Sequence, residues 1–331
     1  MKAIKWIVYI SFTLIIAGCQ LMSLVKPEPT SIPAHPKPDD PANADPDVVS
    51  INQLPLTYPQ SDDFKFMVIG HIYGTTIGED REPSPTLLAN IDKLNSLNLT
   101  MVVSLGDMVK HSEPEDFNIL ETKVLTKLKS PIFNTVGNHD LVNRELYENR
   151  YGQTYYSFAV GPAQMIFLDT ERVECQIDDV QSKMINNVVS SALQNDAIKN
   201  IFIFMHKTLF FKNDNLFQKK LRMAGPNVWD CYGSESFSDI FETIIKPASL
   251  TKPIYLFAGD VGAWGNLSPY YEKLENFPIT LVMSGIGEEP NDSVILVNVS
   301  QENVELELMP LTDTPMMSLE SYNPGYWESV K

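Results

Sequence analysis

Basic charge is scarce in this chain: 25 Lys and Arg stand against 42 Asp and Glu in 331 residues, a formal net charge of −17. No segment clusters enough positive charge to neutralise a run of phosphates, which excludes a basic nucleic-acid groove. An anionic ligand would have to be held by a local positive charge such as a metal ion, and the acidic balance otherwise means a solvated surface. Cysteine is scarcer still, with three residues, which allow at most one pairing within the chain. Internal repeats are absent. Long apolar runs are absent too, since the longest, "WIVYISFTLIIAG" near the amino terminus, is too short for a comfortable membrane span. What is present is 44% hydrophobic residues, enough to bury a substantial core in one large globular domain or two small ones.

Lys2 and Lys5 followed by that apolar run make residues 1–18 a targeting segment. It ends in "IAGC", Ile16 to Cys19, which resembles the lipobox of bacterial lipoproteins and implies cleavage before a lipid-bearing Cys19. Gln20 follows where inner-membrane retention would call for Asp, which favours an outer-membrane anchor facing the periplasm in a Gram-negative cell. Within residues 19–60, nine prolines recur between Pro27 and Pro59 among Ser, Ala, Asp and Lys, so this stretch reads as an extended spacer, and His35 as a solvated linker residue. At about 3.1 Å per residue it could hold a domain on the order of 100 Å from its anchor. With Cys19 lipidated, Cys175 and Cys231 remain, and an oxidising envelope predicts a disulfide between them.

Beyond Asp63, short β-branched runs alternate with amphipathic stretches: "FKFMVIG", "TLLANIDKLNSLN", "TMVVSLGD", "FNILETKVLTKLK", "PIFNTVGNHD". This is the pattern of βαβ units with a largely parallel sheet. Helical stretches thin out toward "PITLVMSG", "SVILVNVS" and "VELELMPL", and these last strands read as antiparallel. The prediction is an α/β fold, a four-layer αββα sandwich over residues 61–310, with 212–248 as an insertion and 311–331 as a tail.

Several of these strands end in polar groups. His71 and Tyr73 close the first, Asp107 stands in "GDM", Asn138 and His139 in "GNHD", His206 in "FMHK" and Asp260 in "AGDVG". Strand ends of a parallel sheet converge on one rim, so these residues form a constellation. Their order from residue 64 to about 309 resembles the calcineurin-like metallophosphoesterase family. That family's pattern of D-x-H, GD, GNH, a lone H and G-H-x-H chelates two divalent metals on an αββα sandwich. Here the pattern departs at both ends, with "HIYG" and "GDVG" in place of D-x-HG and GHxH.

Carried over residue by residue, the resemblance implies one metal site at Asp107, Asn138, His206 and Asp260, whose oxygen and nitrogen donors suit Zn, Mn or Fe. The other site would fall on His71, Tyr73, Asp107 and Gly262, and with its losses one ion is expected rather than two. His139 is placed as general acid, and Asp140 as a carboxylate that could orient it or a plain turn residue. Lys110 and His111 could approach a phosphate or lie in a solvated loop. Lys219, Lys220, Arg222, Trp229 and Tyr232 in the insertion could clasp an anionic or sugar-bearing substrate, or pack as a lid.

The resemblance implies hydrolysis of a phosphomonoester or phosphodiester in the cell envelope, a metal-activated hydroxide attacking phosphorus while His139 assists. Its substrate would be a phosphorylated small molecule, glycan or lipid. The alternative is a noncatalytic member that binds a phosphorylated glycan, lipid or partner protein.

Overall fold

Phe64–Ile69 (β1) is apolar at nearly every position because both of its faces are covered. In the computed structural model, described over residues 50–56, 63–75, 80–173, 175–210, 234–261, 268–287 and 290–329, β1 lies inside a five-stranded sheet. It pairs in parallel with Met101–Ser104 (β2), which pairs in parallel with Ile132–Asn134 (β3). On its other side it pairs antiparallel with Ser293–Val299 (β10), which forms a hairpin with Val304–Pro310 (β11).

The second sheet has six strands: Tyr156–Val160 (β4), Ala163–Phe167 (β5), Asn200–Met205 (β6), Ile254–Ala258 (β7), Tyr270–Lys273 (β8) and Ile279–Met283 (β9). Their spatial order is β4-β5-β6-β7-β9-β8, with the run from β5 to β9 parallel and both edges antiparallel.

The period-two alternation of a strand divides its side chains between two cores. Phe66 and Val68 of β1 meet Phe202 and Phe204 of β6 between the sheets, with Phe66 edge-on to Phe202 at 5.4 Å between centroids. Met67 and Ile69 point the other way, into a layer of helices. There Pro85–Asn95 (α1) contributes Leu87, Ile91 and Leu94 at helical spacing, beside Pro114–Leu120 (α2) and Arg144–Tyr151 (α3). The outer face of the second sheet is covered by Asp179–Gln194 (α4), whose Met184, Ile185, Val188 and Val189 pack on Ile201, Ile203 and Met205. Asp178 caps α4 by accepting the Gln181 amide at 2.9 Å. The layers are therefore helix, sheet, sheet, helix, as the sequence predicts.

The packed chain reaches further than the sequence suggests at three places. Ser50–Leu56 already joins the fold: Ile51 is buried and its amide donates to Ile132 O at 2.9 Å. Within the stretch read as an insertion, 211–233 lies outside the described residues, together with the basic and aromatic residues singled out there. The rest forms Glu235–Ile240 (α5), a π-helical turn at Phe241–Ile245 and the start of Lys246–Ser249 (α6). Phe237, Ile240 and Ile245 bury these helices on the second sheet, because the parallel connection from β6 to β7 needs a covering helix. In the stretch read as a tail, Leu319 enters the inter-sheet core and Trp327 of Pro324–Ser329 (α7) donates Nε1–H to Pro269 O at 3.2 Å.

Candidate functional site

Parallel pairing of β1 with β2 and of β6 with β7 delivers His71, Asp107, His206 and Asp260 to one rim. The turn after β1 closes through Gly74 N–H donating to His71 O at 2.9 Å, and it is tied to the β2 turn by His71 N–H donating to Gly106 O at 3.1 Å. His71 and Asp107 both adopt left-handed backbone, at φ 53° and 56°. Side chains enter that region at a cost of about 1–3 kcal/mol each, and such strain gathers at functional sites. Gly106 beside them has φ 89°, and a Cβ there would stand 2.6 Å from His206 Nδ1. Close approach of the two sheets at the rim thus requires a glycine in "LGD".

Asp140 holds this arrangement. Its fully buried carboxylate accepts the backbone amides of Asp107 (2.9 Å), Met108 (2.7 Å), Val109 (3.3 Å) and Gly137 (3.0 Å). Of the two readings of Asp140, partner of His139 or turn carboxylate, these bonds fit the second: the carboxylate staples the "GDM" turn to the "GNHD" turn. His139 is oriented instead by the Lys110 carbonyl, which accepts from Nδ1 at 2.7 Å, and its ring lies 4.9 Å from that of Tyr73. Asp107 Oδ1 accepts the His139 amide at 3.0 Å, so the two turns are locked in both directions.

At the centre, ligand-type atoms of His71, Asp107 and His206 all lie within 4.8 Å of one another, and all three residues are buried. His71 Nδ1 is 3.7 Å from Asp107 Oδ2, and Nε2 is 3.7 Å from Asp260 Oδ1. His206 Nε2 is 3.5 Å from Asp107 Oδ1 and 3.6 Å from Asp260 Oδ1, while its Nδ1 donates to Leu105 O at 2.7 Å. Gaps of this size are too long for hydrogen bonds. Neither nitrogen of His71 has a hydrogen-bond partner among the described residues, nor does the Tyr73 hydroxyl.

Burial dominates the electrostatics. It pushes the Asp107 carboxyl up to about 8, against the opposing pull of His71, and His206 down to about 3, so His206 is a neutral imidazole. Burial, then the charges of Asp107 and Asp260, raises Tyr73 far above the ordinary phenol range, so it is a protonated phenol. Asp260 differs: burial would raise it, but the Lys207 ammonium leads the influences that outweigh burial and hold it well below the usual carboxylate range.

Asn138 Oδ1 lies 3.3 Å from His206 Nε2 at the rim, two acceptor atoms side by side since the ring proton is on Nδ1. Lys110 contributes its carbonyl to His139, and His111 turns to Asp116 at 3.6 Å, so neither ring nor carbonyl of this pair reaches the central cluster. Gly262 lies outside the described residues. Two residues that the sequence reading passes over stand here. Lys207, next to His206, donates Nζ–H to Asn138 Oδ1 at 2.7 Å and to Asp260 Oδ2 at 3.0 Å. Glu171, just past "IFLDT", is pushed up to about 7 by burial and lies within the field of Lys207. The available signal was position alone, each being the next residue after a strand-end motif.

No family model matches the chain, and no curated protein sequence matches it. Among solved structures it is similar to purple acid phosphatase PPD1 from yellow lupin (Lupinus luteus) seeds, at 12% identity and a TM-score of 0.54. The match covers 80% of this chain and 54% of that one, so the chain spans about half the length of the lupin protein. At that identity the likeness carries the fold alone. What the two chains share is the fold, two mixed sheets face to face with a helical layer on each outer side.

Proposed function

We propose that the chain is a phosphoester hydrolase that uses one divalent metal ion, held by His71, Asp107 and His206 with Asp260 Oδ1 closing the set. The observation that carries this reading is His71, an imidazole buried with both nitrogens orphaned in a ring of carboxylates. The grouping of one ligand atom each from His71, Asp107 and His206 within 4.8 Å of one another supports it. Imidazole and carboxylate donors suit Zn, Mn or Fe.

When bound, such an ion would polarise a phosphoryl oxygen and acidify a water. Asp107 would serve as the shared carboxylate, its position fixed by the left-handed turn and by Asp140. Leu105 O fixes the His206 tautomer through Nδ1, presenting the Nε2 lone pair to the centre. Lys110 O likewise accepts the Nδ1–H of His139, so that in the imidazolium form Nε2–H is the proton that would pass to the leaving oxygen, returning the ring to its neutral Nδ1–H tautomer. Metal analysis of the purified full chain, with phosphomonoester and phosphodiester assays across Mn, Zn and Fe, tests the reading. Metal binding with turnover of either ester class is expected, and absence of metal under saturating conditions overturns it. Noncatalytic binding of a phosphorylated glycan, lipid or partner is the second reading, favoured by Lys207 already neutralising Asp260. Metal binding without turnover of either class would select it.

The envelope location belongs to the same proposal. Residues 1–49 lie outside the described residues, and among the described ones no helix is long and apolar enough to cross a membrane. Lipidation of Cys19 rests on "IAGC", and loss of radioactive palmitate from Cys19→Ser checks it. Cys231 also lies outside the described residues. Its pairing with Cys175 rests on these being the two cysteines left once Cys19 is lipidated, and alkylation of the unreduced, unfolded protein would expose two thiols if the pair does not exist.

A further inference from the structure

Lys207 is 9% exposed, an unusual position for an ammonium unless it is paired on arrival. It follows the end of β6 and points inward, where it spends two of its three N–H donors on Asn138 Oδ1 and Asp260 Oδ2. Both partners belong to the side-chain set that the resemblance assigns to a metal ion. Asp260 is divided between two tasks: Oδ1 faces His71 and His206, and Oδ2 faces Lys207. The carboxylate therefore has a face toward the orphaned imidazole and a face already satisfied by a cation.

The charge on Lys207 is kept in place by its surroundings. Its Nζ is ion-paired to Asp260 Oδ2 at 3.0 Å and hydrogen-bonded to Asn138 Oδ1 at 2.7 Å. A divalent ion approaching Asn138 and Asp260 Oδ2 would meet a fixed positive charge within contact distance, and no donor it could displace cheaply. In two-metal sites the ions stand about 3.5–4 Å apart on either side of a shared carboxylate. An ammonium on the far oxygen of Asp260 fills that role with a side chain.

We propose that the Lys207 ammonium is a resident cation that takes the place of a second metal ion, so that the rim loads one divalent ion and no more. This rests on the reading of the rim as a metal site. The test is ion stoichiometry, measured by elemental analysis and native mass spectrometry of the full chain after loading with Mn or Zn. Wild type and Lys207→Arg, which keeps the charge, are expected to hold one equivalent. Lys207→Ala is expected to hold two, the second more weakly. Circular dichroism melts verify folding, and Lys207→Met, which keeps the apolar stem without the charge, serves if the alanine variant does not fold. Two equivalents in wild type, or one equivalent in folded variants lacking the charge, overturn the inference and leave the metal reading standing. No bound ion in wild type removes both.

Discussion

His71 and His206 stand on facing sheets with their rings 5.6 Å apart, yet their surroundings differ in kind. His71 comes from a strained turn of the first sheet and neither of its nitrogens is hydrogen-bonded within the described chain. His206 extends straight from β6, with Nδ1 on Leu105 O and Nε2 beside Asn138, and its neighbour Lys207 neutralises Asp260. His206 thus has one nitrogen satisfied by the protein and one left for a ligand, whereas His71 has both nitrogens left for something added. Counting ligand types along the sequence inverts this, since it credits Asp107, Asn138, His206 and Asp260 with a complete site and discounts the site of His71. Whether a donor is free to bind depends on what already satisfies it.

The largest effect that would break this comparison is at Asp107, which faces both histidines. Asp107→Asn is expected to remove bound metal and to lower phosphoesterase turnover by at least on the order of 10³-fold, read by metal analysis and steady-state kinetics. Asp140→Ala strands four buried amides and is expected to cost about 3 kcal/mol or more, read by denaturant unfolding, with the rim lost as the fold loosens.

His139→Ala should leave the metal content unchanged and lower turnover by about 10²-fold, the lower end for loss of a general acid. His71→Ala should weaken metal affinity by about 100-fold, while Asn138→Ala should leave affinity near that of wild type. Equal losses in a calorimetric titration of these two variants would show that the ion draws on Asn138 as much as on His71 and reverse the comparison. The smallest effect belongs to Tyr73→Phe, since its hydroxyl has no partner to lose. Stability is expected to stay within about 1 kcal/mol of wild type or to rise, and a drop in turnover would show that the phenol touches the substrate.

Much of the fold was legible because it depends on local pattern. Alternating residues in "FKFMVIG" and "NIFIFMH" divide between two cores as the strand period requires, and the glycines and carboxylates that end these runs mark the rim. The candidate residues His71, Tyr73, Asp107, Asn138, His139, His206 and Asp260 stand at or just past the ends of such runs. What escaped depends on tertiary partners. A lysine after a strand-end histidine reads as solvated, and Lys207 is buried by Asp260 and Asn138, which are 53 and 69 residues away. Asp140 reads as a neighbour of His139 because the two are adjacent, while its real partners are amides some 31 to 33 residues earlier. Trp327 and Leu319 carry no pattern that would tie them to Tyr270 or to the inter-sheet core.

The Asp140 staple grips main-chain amides at positions 107, 108, 109 and 137. Every amino acid except proline supplies that donor. Apart from Gly106 and Gly137, where a side chain would collide with the rim, the mount is accordingly indifferent to the tools fitted in it: side chains at those turns can be exchanged, and with them the ions or substrates they prefer, while the socket keeps its shape. A lineage built on such a mount can wander between two ions, one ion and none by single substitutions, each intermediate still folded and open to selection for the next.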